Sequence, residues 1–239
     1  YNSVGGVETV RPLISVIGVS KAEPTKNARI NVGFYCVFLK EVKCGDLKYG
    51  CNYYDYQEGT LVFVAPGQVL GVNSNEIVQP KGWALLFHPD LIRGTSLGHN
   101  IKNYSFFSYE VNEALHLSDR EKQIAVDCLG KIEYELKHAI DKHSKTLITN
   151  NIELLLNYCM RFYDRQFITR SHVNKNIVMK FEKILDDYFN SGMPHTSGLP
   201  TVKYCADNIH LSANYLGDLI KKETGKSPQE HIQLKLMDL

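Results

Sequence analysis

The stretch TVKYCADNIHLSANYLGDLIKKETG, residues 201–225, predicts two short helices joined by a tight turn. The side chain of Thr201 is placed to accept a hydrogen bond from the free N–H groups at the start of the first helix. Apolar residues recur in this helix at three- and four-residue spacing: Val202, Cys205, Ala206 and Ile209. That spacing indicates one buried face.

The second helix follows a turn at His210 and Leu211, with Ser212 placed to cap its start and Gly225 to end it. Its apolar positions are Tyr215, Leu216, Leu219 and Ile220. Two helices that cross steeply after so short a turn can bring the start of the second into a major groove. The spacing alone fits any helical hairpin equally well.

The run LSANYLGDLIKKETGKSPQEHI, residues 211–232, resembles the first helix-turn-helix of the AraC/XylS family of bacterial transcription regulators. Its opening Leu-Ser-x-x-Tyr-Leu, its Lys-Lys-x-Thr-Gly close and the Ser-Pro that starts the next helix match the family pattern. The resemblance implies two such subdomains joined by a long helix. Ser227 and Pro228 open what resembles that helix, and we expect the second helix-turn-helix to be missing from this chain, cut off in the connecting helix.

The resemblance also implies which residues contact double-stranded DNA. By their place on the second helix, the base-reading positions are Asn214, Gly217 and Asp218, with Ala213 beside them. The residues expected to contact the phosphate backbone are Ser212, Tyr215, Lys221 and Lys222. Asn pairs well with adenine and Asp accepts from cytosine, but Gly217 has no side chain and phosphates repel Asp218. We therefore expect weak base reading by this half.

Charge also predicts weak DNA binding. Residues 172–239 carry eight lysines and eight acidic residues, so this part has no net charge. Because non-specific affinity comes from phosphate neutralisation and counterion release, we expect this chain alone to bind DNA poorly.

Residues 28–116 have the composition and turn spacing of many short strands, including 104–109, which predicts a barrel or a sandwich. The pattern Glu-Gly-x-Leu-x-Phe-x-x-Pro-Gly at 58–67, followed by 83–89, resembles the cupin-like sensor domain of many AraC/XylS regulators. The expected fold class is α+β: an N-terminal cupin-like antiparallel β-barrel with two packed helices, followed by an all-α helix-turn-helix subdomain.

Catalysis is not indicated. Cupin enzymes hold a metal through a His-x-His pair, yet residues 44–56 contain no histidine, and no nucleophile elbow, phosphate loop or carboxylate pair is recognisable. We expect no catalytic residues, no metal and no cofactor. The alternative function is a cupin-type small-molecule enzyme or binding protein whose helical tail serves only for association.

A small-molecule effector is the expected ligand of the barrel, unless side chains fill it completely. The candidate effector-binding residues are Arg29, Tyr35, Lys48 and Trp83, because Arg and Lys would pair with an acidic ligand.

Residues 118–170 predict two amphipathic helices, the first opened by a capping box at Ser118 and Glu121 and the second running from about Asn150. The resemblance implies a homodimer through these helices; covering the barrel is the alternative. The polar stretch 169–176 predicts the boundary between a sensor and dimerisation domain, 1–170, and a DNA-binding subdomain, 171–239. A further helix is predicted from Ile177.

Six cysteines are scattered over the chain without metal-like spacing and are expected to be buried thiols in a cytoplasmic protein. A disulfide between Cys44 and Cys51 is the alternative for that pair. No membrane span and no signal peptide are indicated. The preferred function is a DNA-binding transcription regulator that responds to a small-molecule effector. A third alternative is a sensor that acts mainly through protein contacts, for example with RNA polymerase.

Overall fold

The chain forms a mixed α+β protein, as predicted, with a five-stranded antiparallel sheet and a larger helical part. The computed structural model describes residues 3–4, 7–8, 12–18, 28–31, 33–40, 59–72, 81–110, 113–139 and 141–237. Of residues 3–4, 7–8, 28–31 and 69–72 it describes the backbone only. Two compact units result: Tyr1–Phe107 with Ala114–Tyr163, and Ser108–Glu113 with Asp164–Leu239.

The first unit contains all the described strands. They are β1 (Ser3–Val4), β2 (Val7–Glu8), β3 (Ile14–Gly18), β4 (Ala28–Asn31), β5 (Tyr35–Lys40), β6 (Thr60–Val64), β7 (Val69–Val72), β8 (Gly82–Phe87) and β9 (Leu115–His116). The main sheet has the order β3-β8-β5-β6-β9, while β4 pairs with β7 and β1 with β2, every pair being antiparallel. Within the described part of the chain, β3 and β9 are the edges of the main sheet.

Both faces of the main sheet are buried. On one face the side chains of Leu61, Leu85 and Phe87 have no exposed area; on the other, Cys36 and Ala84 are almost as inaccessible. This explains why β6 and β8 are continuous apolar runs rather than alternating ones.

Gly82 is required at the start of β8. Its φ is +134°, and a Cβ atom there would lie 1.9 Å from the carbonyl oxygen of Leu39 on the neighbouring strand. The strand can therefore approach β5 only with a glycine at this position.

The strand predicted at 104–109 is wrong. After α1 (Pro89–Ile92) and α2 (Ser96–Asn100), the chain forms 3₁₀ turns at Ile101–Asn103 and Ser105–Ser108. Successive side chains of a strand point to opposite faces, whereas Phe106 and Phe107 both pack against Phe63, with ring centroids 4.3 and 5.6 Å away. Burial of both rings in one cluster favours the turn.

Two long helices follow, α3 (Asp119–Lys137) and α4 (Ser144–Thr169). The predicted capping box is confirmed, since the hydroxyl of Ser118 accepts from the N–H of Glu121 and the Glu121 carboxylate accepts from the N–H of Ser118. α4 begins earlier than predicted because Asp141 accepts from the N–H groups of His143 and Ser144. Most of the predicted apolar positions of α3 and α4 are buried: Ala125, Leu129, Ile132, Leu136, Ile152, Leu155, Leu156, Cys159, Phe162, Tyr163 and Phe167. The predicted position Ala139 is wrong, because α3 ends at Lys137 and Ala139 lies exposed beyond it.

The second unit contains α5 (Ser171–Asn190), α6 (Met193–Ser197), α7 (Val202–Ile209), α8 (Ala213–Thr224) and α9 (Pro228–Met237). α5 packs against α6, α7 and α8, and α8 packs against α7 and α9. The predicted bounds of α7 and α8 are confirmed. The prediction of a helix start at Ile177 is wrong, because the amide of Asn174 is buried and hydrogen-bonded inside the first turns of α5.

Four cysteines, Cys36, Cys128, Cys159 and Cys205, are free thiols buried in the structure, as predicted; Cys44 and Cys51 lie outside the described residues. Among the helices that the structure describes, none combines the length and apolar character needed to cross a bilayer.

Candidate nucleic-acid interface

The start of α8 is capped by a serine in the predicted place. Ser212 has an extended backbone, and its hydroxyl accepts a hydrogen bond of 3.1 Å from the N–H of Tyr215. His210 ends α7 in the left-handed conformation, with φ 62°, and α8 begins three residues later at Ala213. Gly225 ends α8 with φ 76°, a conformation that glycine adopts without strain.

Glu113 contacts this cap directly. Its two carboxylate oxygens accept from the N–H and from the hydroxyl of Ser212, each at 2.6 Å, and one also accepts from the N–H of Glu110 at 2.7 Å. The Glu113 side chain is only 2% exposed. Burial raises its pKa, although the hydrogen bonds from Ser212 act in the opposite direction.

Tyr109 contacts the second turn of α8. Its hydroxyl donates to a carboxylate oxygen of Asp218, and its ring meets that of Tyr215 edge-on, with centroids 5.2 Å apart. The ring of Phe167 contacts Tyr215 at the same centroid distance. Tyr215 is consequently buried between aromatic rings and part of the core.

The last turn of α8 is held by an ion pair between Lys222 and Asp164. The ammonium group of Lys222 also lies 5.9 Å from the ring centre of Phe167. Charge pairing and the aromatic ring therefore fix the orientation of this side chain.

The eight predicted DNA-binding residues thus fall into two sets. Ser212, Tyr215, Asp218 and Lys222 are engaged by Tyr109, Glu113, Asp164 or Phe167. Asn214 and Lys221 are exposed, and Ala213 and Gly217 are half-buried.

Sequence reasoning missed Tyr109, Glu113 and Asp164. Tyr109 lies in the predicted strand 104–109, Glu113 in the β-like region that continues to 116, and Asp164 in the second predicted helix. No local pattern marks their partners, because Glu113 and Ser212 are 99 positions apart. The only signal in the sequence is that the stretch around Glu113 contains carboxylates but lacks the alternation of a strand.

The predicted effector residues do not form one cluster among the described side chains. Tyr35 and Trp83 lie on the same face of the sheet, but Tyr35 pairs with Phe87 and Trp83 with Leu39, so the two are separated by four residues along the strands. Four residues span about 13 Å. The side chain of Arg29 and the whole of Lys48 lie outside the described part.

Tyr35 is instead part of an aromatic cluster. Its ring stacks on Phe87 and meets Phe107 edge-on, with centroids 5.2 and 5.0 Å away. Burial raises the pKa of its hydroxyl. The described side chains also contain no group of three or more His, Cys, Asp or Glu residues arranged to hold a metal ion; residues 44–56 are outside that set.

No protein-family model matches this chain, and a search of curated proteins found no significant match.

Proposed function

We propose that the chain is a sequence-specific DNA-binding transcription regulator of the AraC/XylS type, with α7 and α8 as its helix-turn-helix and α8 as the recognition helix. The observation that carries the proposal is the pair of capped helices joined by the three residues His210–Ser212. The stretch that resembles the family, 211–232, covers α8, its glycine stop and the start of α9.

The exposed face of α8 fits this role. At 3.6 residues per turn, Asn214, Gly217, Asp218 and Lys221 lie within an arc of about 100°. Asn214 and Lys221 are exposed on it, and neither is engaged by the residues that hold Ser212 and Asp218. Asn214 would read a base and Lys221 would pair with a phosphate.

The first unit would act as a cupin-like sensor barrel for a small-molecule effector. The segment 58–67, which resembles that domain, contains β6 and the turn after it, and 83–89 contains most of β8. These strands are antiparallel neighbours of β5 in one sheet. An effector would act by binding one arrangement of the protein more tightly than another.

The proposed homodimer would use an exposed apolar stripe on α4. Leu147 and Leu154 are 43% and 41% exposed, seven residues apart, and Tyr158 extends the same face. A helix that buries one stripe and exposes another fits two partner surfaces. Contacts with RNA polymerase in the cytoplasm complete the proposed role.

Leu154→Glu tests the dimer, because the introduced charge would be buried in the interface. Analytical ultracentrifugation should show a shift toward monomer. Gln229→Glu on α9 introduces the same charge at another exposed position and should leave the mass unchanged. A wild-type chain that is monomeric at high concentration would refute the dimer.

DNA binding is tested by selecting duplexes from a randomised 30-base-pair pool with the 239-residue chain at about 50 mM salt. Enrichment of a common sequence is expected, with affinity that weakens strongly toward 100 mM salt. Asn214→Ala should relax one position of the selected sequence, whereas Lys221→Ala should weaken all sequences alike and reduce the salt slope by about 1. Lys180→Ala on α5 is the matched control. A pool that stays random and unbound, both with the wild-type chain and with folded variants of the residues that engage Ser212 and Asp218, would refute the proposed function.

A further inference from the structure

We propose that Tyr109, Glu113 and Asp164 form a latch that competes with DNA for the recognition helix, so that α8 can bind a major groove only after the latch opens. The proposal rests on the DNA-binding function proposed for α8. It assigns a regulatory role to Tyr109 and Glu113, which belong to the helical unit although they lie between parts of the first unit in the chain.

Glu113 occupies the position that a backbone phosphate would take. The N–H and the hydroxyl of Ser212 stand at the start of α8, where helices bind phosphate groups. In this structure both donate to the Glu113 carboxylate at 2.6 Å. A phosphate oxygen could accept from these groups only after that carboxylate has moved, because a donor already bound at this distance has no proton to share.

Tyr109 occludes part of the base-reading face. Its hydroxyl holds the carboxylate of Asp218, and its ring covers Tyr215. Asp218 belongs both to the residues of α8 that other side chains engage and to the face that carries Asn214 and Lys221. Reading cytosine through Asp218 would therefore require Tyr109 to leave.

Asp164 completes the latch at the last turn of α8. It pairs with Lys222, one of the residues expected to neutralise phosphates. Together with Glu113, it places negative charge along the edge that would face the DNA backbone. Repulsion between these carboxylates and phosphates adds to direct competition for donors.

A closed latch reduces the apparent affinity by the fraction of molecules in which it is open. Changes that open it should therefore tighten DNA binding, which is opposite to the usual effect of removing native contacts. Tyr109 and Glu113 lie close in the chain to Phe107 and Ala114 of the first unit, so the sensor can bias the equilibrium through the covalent chain.

The test compares variants of the 239-residue chain in binding a fluorescein-labelled 30-base-pair duplex from the pool selected with wild-type protein, at about 50 mM salt. Tyr109→Phe removes only the hydroxyl and leaves the charge unchanged; we expect about 2- to 10-fold tighter binding. Glu113→Gln should tighten it by about 10-fold, because the amide nitrogen that replaces one carboxylate oxygen cannot accept a hydrogen bond from Ser212. Asp164→Asn should tighten DNA binding by about 2-fold, because an exposed ion pair contributes little.

Asp207→Asn is the matched control for charge. It lies exposed on α7 and removes one negative charge, as Glu113→Gln does, without touching the latch. Binding within about 2-fold of wild type is expected. Thermal unfolding by circular dichroism checks that each variant is folded. If Glu113→Gln unfolds the helical unit, the comparison of Tyr109→Phe with wild type decides the test.

The outcomes separate the latch from the proposed function. Tighter binding by the latch variants, but not by Asp207→Asn, supports the latch. Equal binding by wild type and all variants overturns the latch and leaves the DNA-binding function intact. Absence of binding by the wild type and by every folded variant overturns both.

Discussion

Glu113 and Ser212 lie 99 positions apart in the sequence, yet the carboxylate of the first accepts two hydrogen bonds of 2.6 Å from the second. A third comes from the N–H of Glu110. Hydrogen bonds to a carboxylate favour its charged form, whereas burial disfavours it. Here burial prevails, and the pKa of Glu113 is raised above its ordinary value of 4.5.

This raised pKa predicts how the stability around α8 depends on pH. The folded state binds the Glu113 proton more tightly than the unfolded state, so the resulting stabilisation is fully present below pH 4.5 and is lost as pH rises through the folded-state pKa. Glu113→Gln cannot titrate. We therefore expect wild type to gain stability relative to this variant as pH falls from neutral toward 4.5.

Hydrogen exchange of α8 amides, corrected for the intrinsic pH dependence, measures this difference. Asp141 and Glu230 have lowered pKa values because hydrogen bonds from neighbouring residues stabilise their charged forms. The stabilisation that they contribute is lost on acidification. Because the loss is equal in wild type and in Glu113→Gln, it does not affect the difference between the two proteins. A difference that is independent of pH, or that grows toward neutral pH, would contradict the role assigned to Glu113.

Asn174→Ala should destabilise the helical unit by about 1–3 kcal/mol, the cost of leaving buried polar partners unsatisfied. The Asn174 amide is 1% exposed and donates to the carbonyl of Phe167 at 2.8 Å and to the carboxylate of Glu223 at 2.9 Å. Asn190→Ala, at the exposed end of α5, should change stability by less than about 0.5 kcal/mol. Urea unfolding of the two variants tests this; equal midpoints would mean that the Asn174 bonds contribute nothing.

Features with local signals were predictable. Ser118, Thr201, Ser212 and Gly225 cap or end their helices as the sequence predicts, because a cap depends on residues three or four positions away. The apolar spacing of α4 and α8, and of α3 as far as Leu136, likewise predicted which side chains are buried, since one helix face repeats regularly.

Features that depend on distant contacts were not predictable. Aromatic residues at 104–109 favour a strand by propensity, but the common contact of Phe106 and Phe107 with Phe63 overrides it. Asn174 has the composition of a linker, and only the positions of Phe167 and Glu223 make it a core residue. The contacts of Glu113 with Ser212 and of Tyr109 with Asp218 join residues about a hundred positions apart.

The two glycines of α8 should respond oppositely to alanine. Gly217 lies inside the helix, and a Cβ atom there would meet nothing within 4 Å, so Gly217→Ala should stabilise by about 1 kcal/mol. Gly225 has φ +76°, and Gly225→Ala should destabilise by about 1 kcal/mol, the cost of a left-handed conformation for a residue with a Cβ. Thermal unfolding of the two variants measures both effects. Each variant is the control for the other, because each adds one methyl group, either inside α8 or at its end. Shifts of the same sign would contradict the structure of α8.

The buried thiols predict slow alkylation in the folded protein. Cys36, Cys128, Cys159 and Cys205 have raised pKa values because burial disfavours the thiolate, with Cys36 at about 12 and Cys205 at about 11. The thiolate is the reactive form, so at pH 7.5 iodoacetamide should modify these four only as fast as the protein opens. Mass spectrometry of peptides resolves each site, and the same reaction in concentrated urea is the control. Rapid labelling of Cys205 in the native protein would place it at an exposed position and would contradict the packing of α7 against α5 and α8.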